Sequence, residues 1–89
     1  MRFPAGELDL VMEDGPVIVF VEVRYRRRED FGGALESVDR RKQARLRRAA
    51  ALYLQARPRQ ADRPCRFDVL ALAPGSGGRL RVRWVRHAF

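Results

Sequence analysis

Eighty-nine residues are enough for one domain with one modest core and leave no room for a second. Lys and Arg number 19 against 11 Asp and Glu, and this surplus of +8 points to a polyanionic partner, of which nucleic acid is the usual one. No apolar stretch approaches a membrane span, no signal peptide opens the sequence, and the single cysteine, Cys65, excludes an internal disulfide and suits a reducing cytoplasm.

Residues 1–5 read as a lead-in broken by Pro4, with Phe3 the one side chain suited to packing. Residues 6–24, GELDLVMEDGPVIVFVEVR, then read as two strands joined at Asp14-Gly15, because glycine takes positive φ freely and aspartate tolerates it. Leu8, Leu10 and Met12 alternate before the turn. Val17, Ile18, Val19, Phe20 and Val21 run unbroken after it, as a strand buried on both faces does. That turn sets Glu13 opposite Pro16, Asp9 opposite Phe20 and Glu7 opposite Glu22. Asp9, Glu22 and Arg24 then share one face, the two acids as diagonal neighbours. Like charges so close to a buried strand repel, and each costs several kcal/mol in desolvation, order of magnitude, unless compensated. A hard divalent cation held by carboxylate oxygens is one compensation; water or Arg24 is the other.

Residues 25–36, YRRREDFGGALE, read as a polar loop carrying Arg26, Arg27 and Arg28. The loop leaves the strand that bears Glu22 and Arg24, so it is either a phosphate-contacting flap or a plain solvated loop. Ser37 is expected to cap a helix with Asp39 in its first turn, running to Arg57 and stopped by Pro58. Leu46, Ala49, Ala50, Tyr53, Leu54 and Ala56 form its apolar stripe, with Arg40, Arg41, Arg45 and Arg48 mostly off it. Together with Lys42 and Arg47 these outnumber the nearby acids Glu29, Asp30, Glu36 and Asp39. Clustered unneutralised arginine gains from counterion release on a phosphate backbone, a contact that fixes position rather than sequence. Gln43 falls on the buried side near the helix start, where its amide needs a partner, either the carboxylates or backbone.

Beyond a polar linker at 59–64, residues 66–73 read as an interior strand, with Asp68 in a turn or surface role or adding an oxygen to the site. After a turn at 74–78, residues 79–85 alternate as an edge strand, with Leu80, Val82 and Trp84 inward and Arg79, Arg81 and Arg83 outward. His87 has no partner at ligand spacing, and Cys65 no evident base.

Asp9, then twelve residues, then Glu22-Val23-Arg24 resembles the PD-(D/E)xK nuclease signature. More broadly GELDLV, VFVEVR, FGGALESVD, RRKQARLRRAA, RFDVLAL and the closing HAF cover nearly the whole chain and resemble the uncharacterised bacterial YraN-like family. That family is thought to share a restriction-endonuclease-like fold with the Holliday junction resolvases. The resemblance implies one α/β domain: a mixed sheet of about four strands opened by an antiparallel hairpin, with one long basic helix. It implies Mg²⁺ or Mn²⁺ held by Asp9, Glu22 and the Val23 carbonyl, Arg24 meeting developing negative charge, and Gln43 positioning water or a carboxylate. Nucleic acid, DNA before RNA, would lie on Arg26, Arg27, Arg28, Arg40, Arg41, Lys42, Arg45 and Arg48, and junction resolution would need a homodimer.

Two departures stand out. The signature's Lys is Arg24, which stays protonated and acts only as clamp or donor. The family's first helix and strand, with the helix's Glu, precede GELDLV, whereas this chain opens at Met1-Arg2-Phe3-Pro4, so a domain without that helix is expected. Three readings stay open: a Mg²⁺-dependent endonuclease acting on DNA, a non-catalytic nucleic-acid-binding module, and a subunit whose exposed sheet edge pairs with another chain.

Overall fold

The computed structural model describes residues 8–27 and 32–89. Phe3, Glu7, Arg28, Glu29 and Asp30 lie outside the described residues. Four strands, β1 (Leu10–Asp14), β2 (Val17–Tyr25), β3 (Cys65–Pro74) and β4 (Leu80–Val85), form one mixed sheet in the order β1-β2-β3-β4. β1 and β2 are an antiparallel hairpin, β3 and β4 another, and β2 runs parallel to β3. A parallel neighbour needs a long crossover, and it is supplied by α1 (Gly32–Glu36) and α2 (Arg40–Gln55). The α/β class, the hairpin opening and the single long basic helix are as the sequence predicts.

The core forms where the stripe of α2 meets one sheet face. Leu46, Ala49, Ala50 and Tyr53 are buried against that face, with Leu8, Ile18 and Phe20 in the same core as Tyr53. Phe20 meets Tyr53 edge-on at 5.7 Å and stacks on Phe67 at 5.4 Å, and Phe67 stacks on Phe89 at 4.9 Å. Arg47, counted with the phosphate-facing cations from sequence, instead lies over the Phe67 and Phe89 rings at 5.3 and 5.4 Å. Ala56 of the expected stripe is the exposed C-cap.

The helix start departs from expectation. Asp39, not Ser37, is the N-cap: it sits in extended backbone and its carboxylate accepts the Lys42 N–H at 2.9 Å. Ser37 is occupied in closing α1, a short helix within the expected loop: its N–H donates to Gly33 O at 3.2 Å and its hydroxyl to Ala34 O at 2.6 Å. The linker also does more than connect. Arg63 donates to the carbonyls of Pro16 (2.9 Å) and Gly15 (3.1 Å) and pairs with Glu13 at 3.1 Å, clamping the first hairpin's turn.

That turn is Gly15-Pro16 rather than Asp14-Gly15, since Asp14 pairs with Val17 in the ladder. Gly15 takes φ +58° at the first loop position, and proline's fixed φ suits the second. The register therefore slides by two relative to expectation: Val11 faces Phe20 and Leu10 faces Val21, bringing Asp9 level with Glu22 rather than Phe20. A shift of two preserves face parity, so the expected sharing of a face survives.

β4 is an edge strand, but its apolar set is not inward. Leu80, Val82 and Trp84 are 55%, 60% and 42% exposed, with Leu10 and Met12 similarly open on the same sheet face. The described helices cover only the opposite face. Alternation identifies two faces of a strand without saying which one receives a layer.

Candidate metal and nucleic-acid site

The β1–β2 ladder stops at Leu10 and Val21, one residue short of a further backbone pair. Asp9 takes up the donor beyond it: its Oδ2 accepts the Val23 N–H at 2.9 Å. This anchors one carboxylate beside Glu22, the next residue on β2 facing α2. Glu22 is only 4% exposed, and its Oε2 lies 3.3 Å from Lys42 Nζ and 3.3 Å from Arg24 Nη1. Arg24 is held in turn by its Nε, which donates to Ser37 Oγ at 2.8 Å. The carboxylates thus sit at the end of β2 beneath the first turn of α2 and the α1–α2 junction.

Burial pushes the Glu22 carboxyl up from its ordinary range, contact with the Asp9 carboxyl pushes it further, and Lys42 pulls the other way. A carboxyl raised in the fold contributes stability at low pH that is lost as pH rises through its folded pKa. Stability of Glu22→Gln relative to wild type should therefore increase with pH from the ordinary glutamate value of 4.5 towards neutrality. Paired urea titrations across that range check it, and a difference that stays flat or falls refutes it.

Of the two partners the sequence left open for Gln43, the structure gives the backbone and not the carboxylates that the family resemblance implied: its Nε2 donates to Val38 O at 3.0 Å. Lys42, grouped by sequence with the phosphate-facing cations, is the α2 side chain that meets Glu22. The signal was present, because Lys42 precedes Leu46 by four and Ala49 by seven and so falls on the same helix stripe. Asp68 is neither a turn nor a surface residue nor a third oxygen for the site. It points from the opposite sheet face and is fully buried there, bonded to Arg66, Trp84 and the His87 N–H. Arg40, Arg41, Arg45 and Arg48 are exposed, as are Arg26 and Arg27, while Arg28 lies outside the described residues. Burial raises the Cys65 thiol above its ordinary range, which lowers its thiolate fraction at neutral pH.

Among the described residues no group of three or more His, Cys, Asp or Glu side chains could enclose a metal. The donor set is a carboxylate pair, which suits Mg²⁺: that ion keeps several waters and binds through one or two carboxylates plus substrate phosphate. Such an ion would also relieve the crowding of Asp9 and Glu22. Among the described residues no helix is long and apolar enough to cross a membrane.

A family model described as "Uncharacterised protein family UPF0102" matches residues 1–72. The chain is 62% identical over 86 residues to a UPF0102 protein of Stutzerimonas stutzeri (strain A1501), spanning 96% of this chain and 70% of that protein. It is 56% identical over 88 residues to a UPF0102 protein of Pseudomonas entomophila (strain L48), spanning 99% and 72% respectively.

Proposed function

The chain belongs to the uncharacterised protein family UPF0102, and from that premise we propose that it is a nuclease-like DNA-binding protein that hydrolyses phosphodiester bonds with Mg²⁺ or Mn²⁺. The observation that carries this reading is the meeting of Asp9 and Glu22 under Lys42 and Arg24, beside an exposed row of arginines on α2.

Asp9, Glu22 and the Val23 carbonyl are the groups that would hold the ion. When bound, such an ion polarises the phosphate and lowers the pKa of a coordinated water. Water adds to phosphorus as a P–O ester bond breaks, leaving a phosphate monoester on one chain end and a hydroxyl on the other. The charge that grows on the phosphate oxygens is met by Lys42 and Arg24, and Ser37 fixes the guanidinium that does so. Arg40, Arg41, Arg45 and Arg48 hold the flanking backbone.

Calorimetric titration of Mg²⁺ or Mn²⁺ into wild type and Asp9→Asn tests the reading, followed by cleavage of a panel of duplex, single-stranded and four-way-junction DNA. Binding heat and cleavage are expected in the wild type and lost together in the variant. Unchanged metal binding by Asp9→Asn removes the site assignment. A second reading rests on the ion pairs themselves. Glu22 is already compensated by Lys42 and Arg24, an arrangement that a non-catalytic nucleic-acid-binding module could keep without metal. Its signature is salt-dependent DNA binding with neither heat nor cleavage.

A further inference from the structure

β4 separates its charge from its apolar side chains: Leu80, Val82 and Trp84 face the helix-free side of the sheet, and Arg81 and Arg83 face the side that carries the carboxylates. Register makes this definite. Arg83 is level with Ala71 of β3, which is level with Arg24 of β2, and Arg81 is level with Ala73. Residues in register share a face, so Arg24 and Arg83 rise from the same surface two strands apart, about 10 Å. Between them Ala71 and Ala73, with Ala34 of α1, are fully buried where α1 packs on β2 and β3, so the surface that joins the two arginines runs over α1. Arg81 Nε donates to Pro74 O at 3.2 Å, which steadies that side chain at the sheet edge. Arg83 is exposed and enters no ion pair among the described residues.

We propose that Arg81 and Arg83 of β4 form a second phosphate-contacting arm, so that a DNA duplex crosses the carboxylate end of the sheet between the arginines of α2 and those of β4. This rests on the nucleic-acid part of the function proposed above, and not on cleavage. The partner is a duplex because, among the described residues, this surface offers guanidinium groups without a stacking platform. The exposed aromatics Tyr25 and Trp84 stand on the opposite face, while Phe20 and Tyr53 are sealed in the core. Bare bases gain from aromatic stacking; a duplex presents two phosphate backbones and gains from arginine. Contacts of this kind position the backbone and read no sequence.

The test is fluorescence anisotropy with a fluorescein-labelled blunt DNA duplex in EDTA, over a series of KCl concentrations. It compares wild type, Arg83→Ala, the Arg81→Ala/Arg83→Ala double variant and Arg86→Ala. Arg86 lines the groove on the helix-free face with Trp84 and Arg66, so it removes the same charge from the wrong side. Arg83→Ala should weaken binding several-fold and flatten the dependence of log K on log salt by about 0.9, the double variant by more, and Arg86→Ala should leave that slope in place. Equal losses for Arg83→Ala and Arg86→Ala overturn the arm, leaving net charge as the whole effect. A wild type that binds no duplex overturns the arm and the nucleic-acid reading together. Duplex binding that depends on Arg83 in a protein without metal-dependent cleavage upholds the arm and removes only the nuclease chemistry.

Discussion

Replacing Asp68 with alanine is expected to cost the fold about 3–5 kcal/mol, the range for removing one partner of a buried ion pair. Asp68 is fully buried on an interior strand, yet its oxygens are well supplied: Arg66 Nε at 3.0 Å, Trp84 Nε1 at 2.8 Å and the His87 N–H at 3.0 Å. Arg66 extends the network by pairing with Asp14 at 2.8 Å, so one carboxylate ties β1, β3, β4 and the segment after β4. Alanine would strand three donors at once. Burial by itself acts to raise the Asp68 carboxyl, but the hydrogen bonds from Arg66, Trp84 and His87 outweigh it and hold the group below its ordinary 3.8. An acid lowered in the fold contributes stability above its unfolded value and loses it as pH falls through the folded one. Asp68→Ala should therefore be least different from wild type in strong acid and most different above about pH 4. Urea denaturation at neutral pH measures the loss, which is a large share of the roughly 5–15 kcal/mol typical of a domain. A loss below about 1 kcal/mol, the scale of a single neutral hydrogen bond, would show that the network adds little.

Lys42→Met is expected to lower DNA cleavage by about 10²–10³-fold, the cost of deleting one donor aimed at developing charge. Mg²⁺ affinity should hold or rise, since the change removes a cation from 3.3 Å beside Glu22. The opposed directions separate this role from a structural one, because a collapsed site would lose metal and cleavage together. Arg59→Met is the control: it takes the same charge from an exposed position beyond the end of α2 that has no place in the proposed site. Cleavage falling equally in both variants would reduce Lys42 to a general contributor of positive charge. Lys42→Arg should recover part of the activity, as guanidinium restores charge with a different shape. The substitution bears on Arg24 as well, since that residue occupies the signature's lysine position and a lysine reaches the same carboxylate from α2 instead.

The hairpin, the long helix with its apolar stripe and the interior strand were legible because turn chemistry and hydrophobic period are local properties. Face parity was legible too: a register displaced by two left Asp9 and Glu22 on one face, although the turn moved from Asp14-Gly15 to Gly15-Pro16. The capping residue was not, because Ser37 and Asp39 both have capping chemistry, and the short helix α1 decided between them by using Ser37 for itself. The choice of Lys42 over Gln43 at the carboxylates required the rotation of α2 on the sheet, since neighbours in a helix differ by about 100° and both fit the stripe. Asp68 was misread because its donors Trp84 and His87 are remote in the chain and reach it through the pairing of β3 with β4. What the sequence determined by itself was the set of elements and which residues of each share a face. The tertiary structure alone decided which faces are covered and which charges meet, because a strand's alternation and a helix's period carry no information about the neighbour that packs against them.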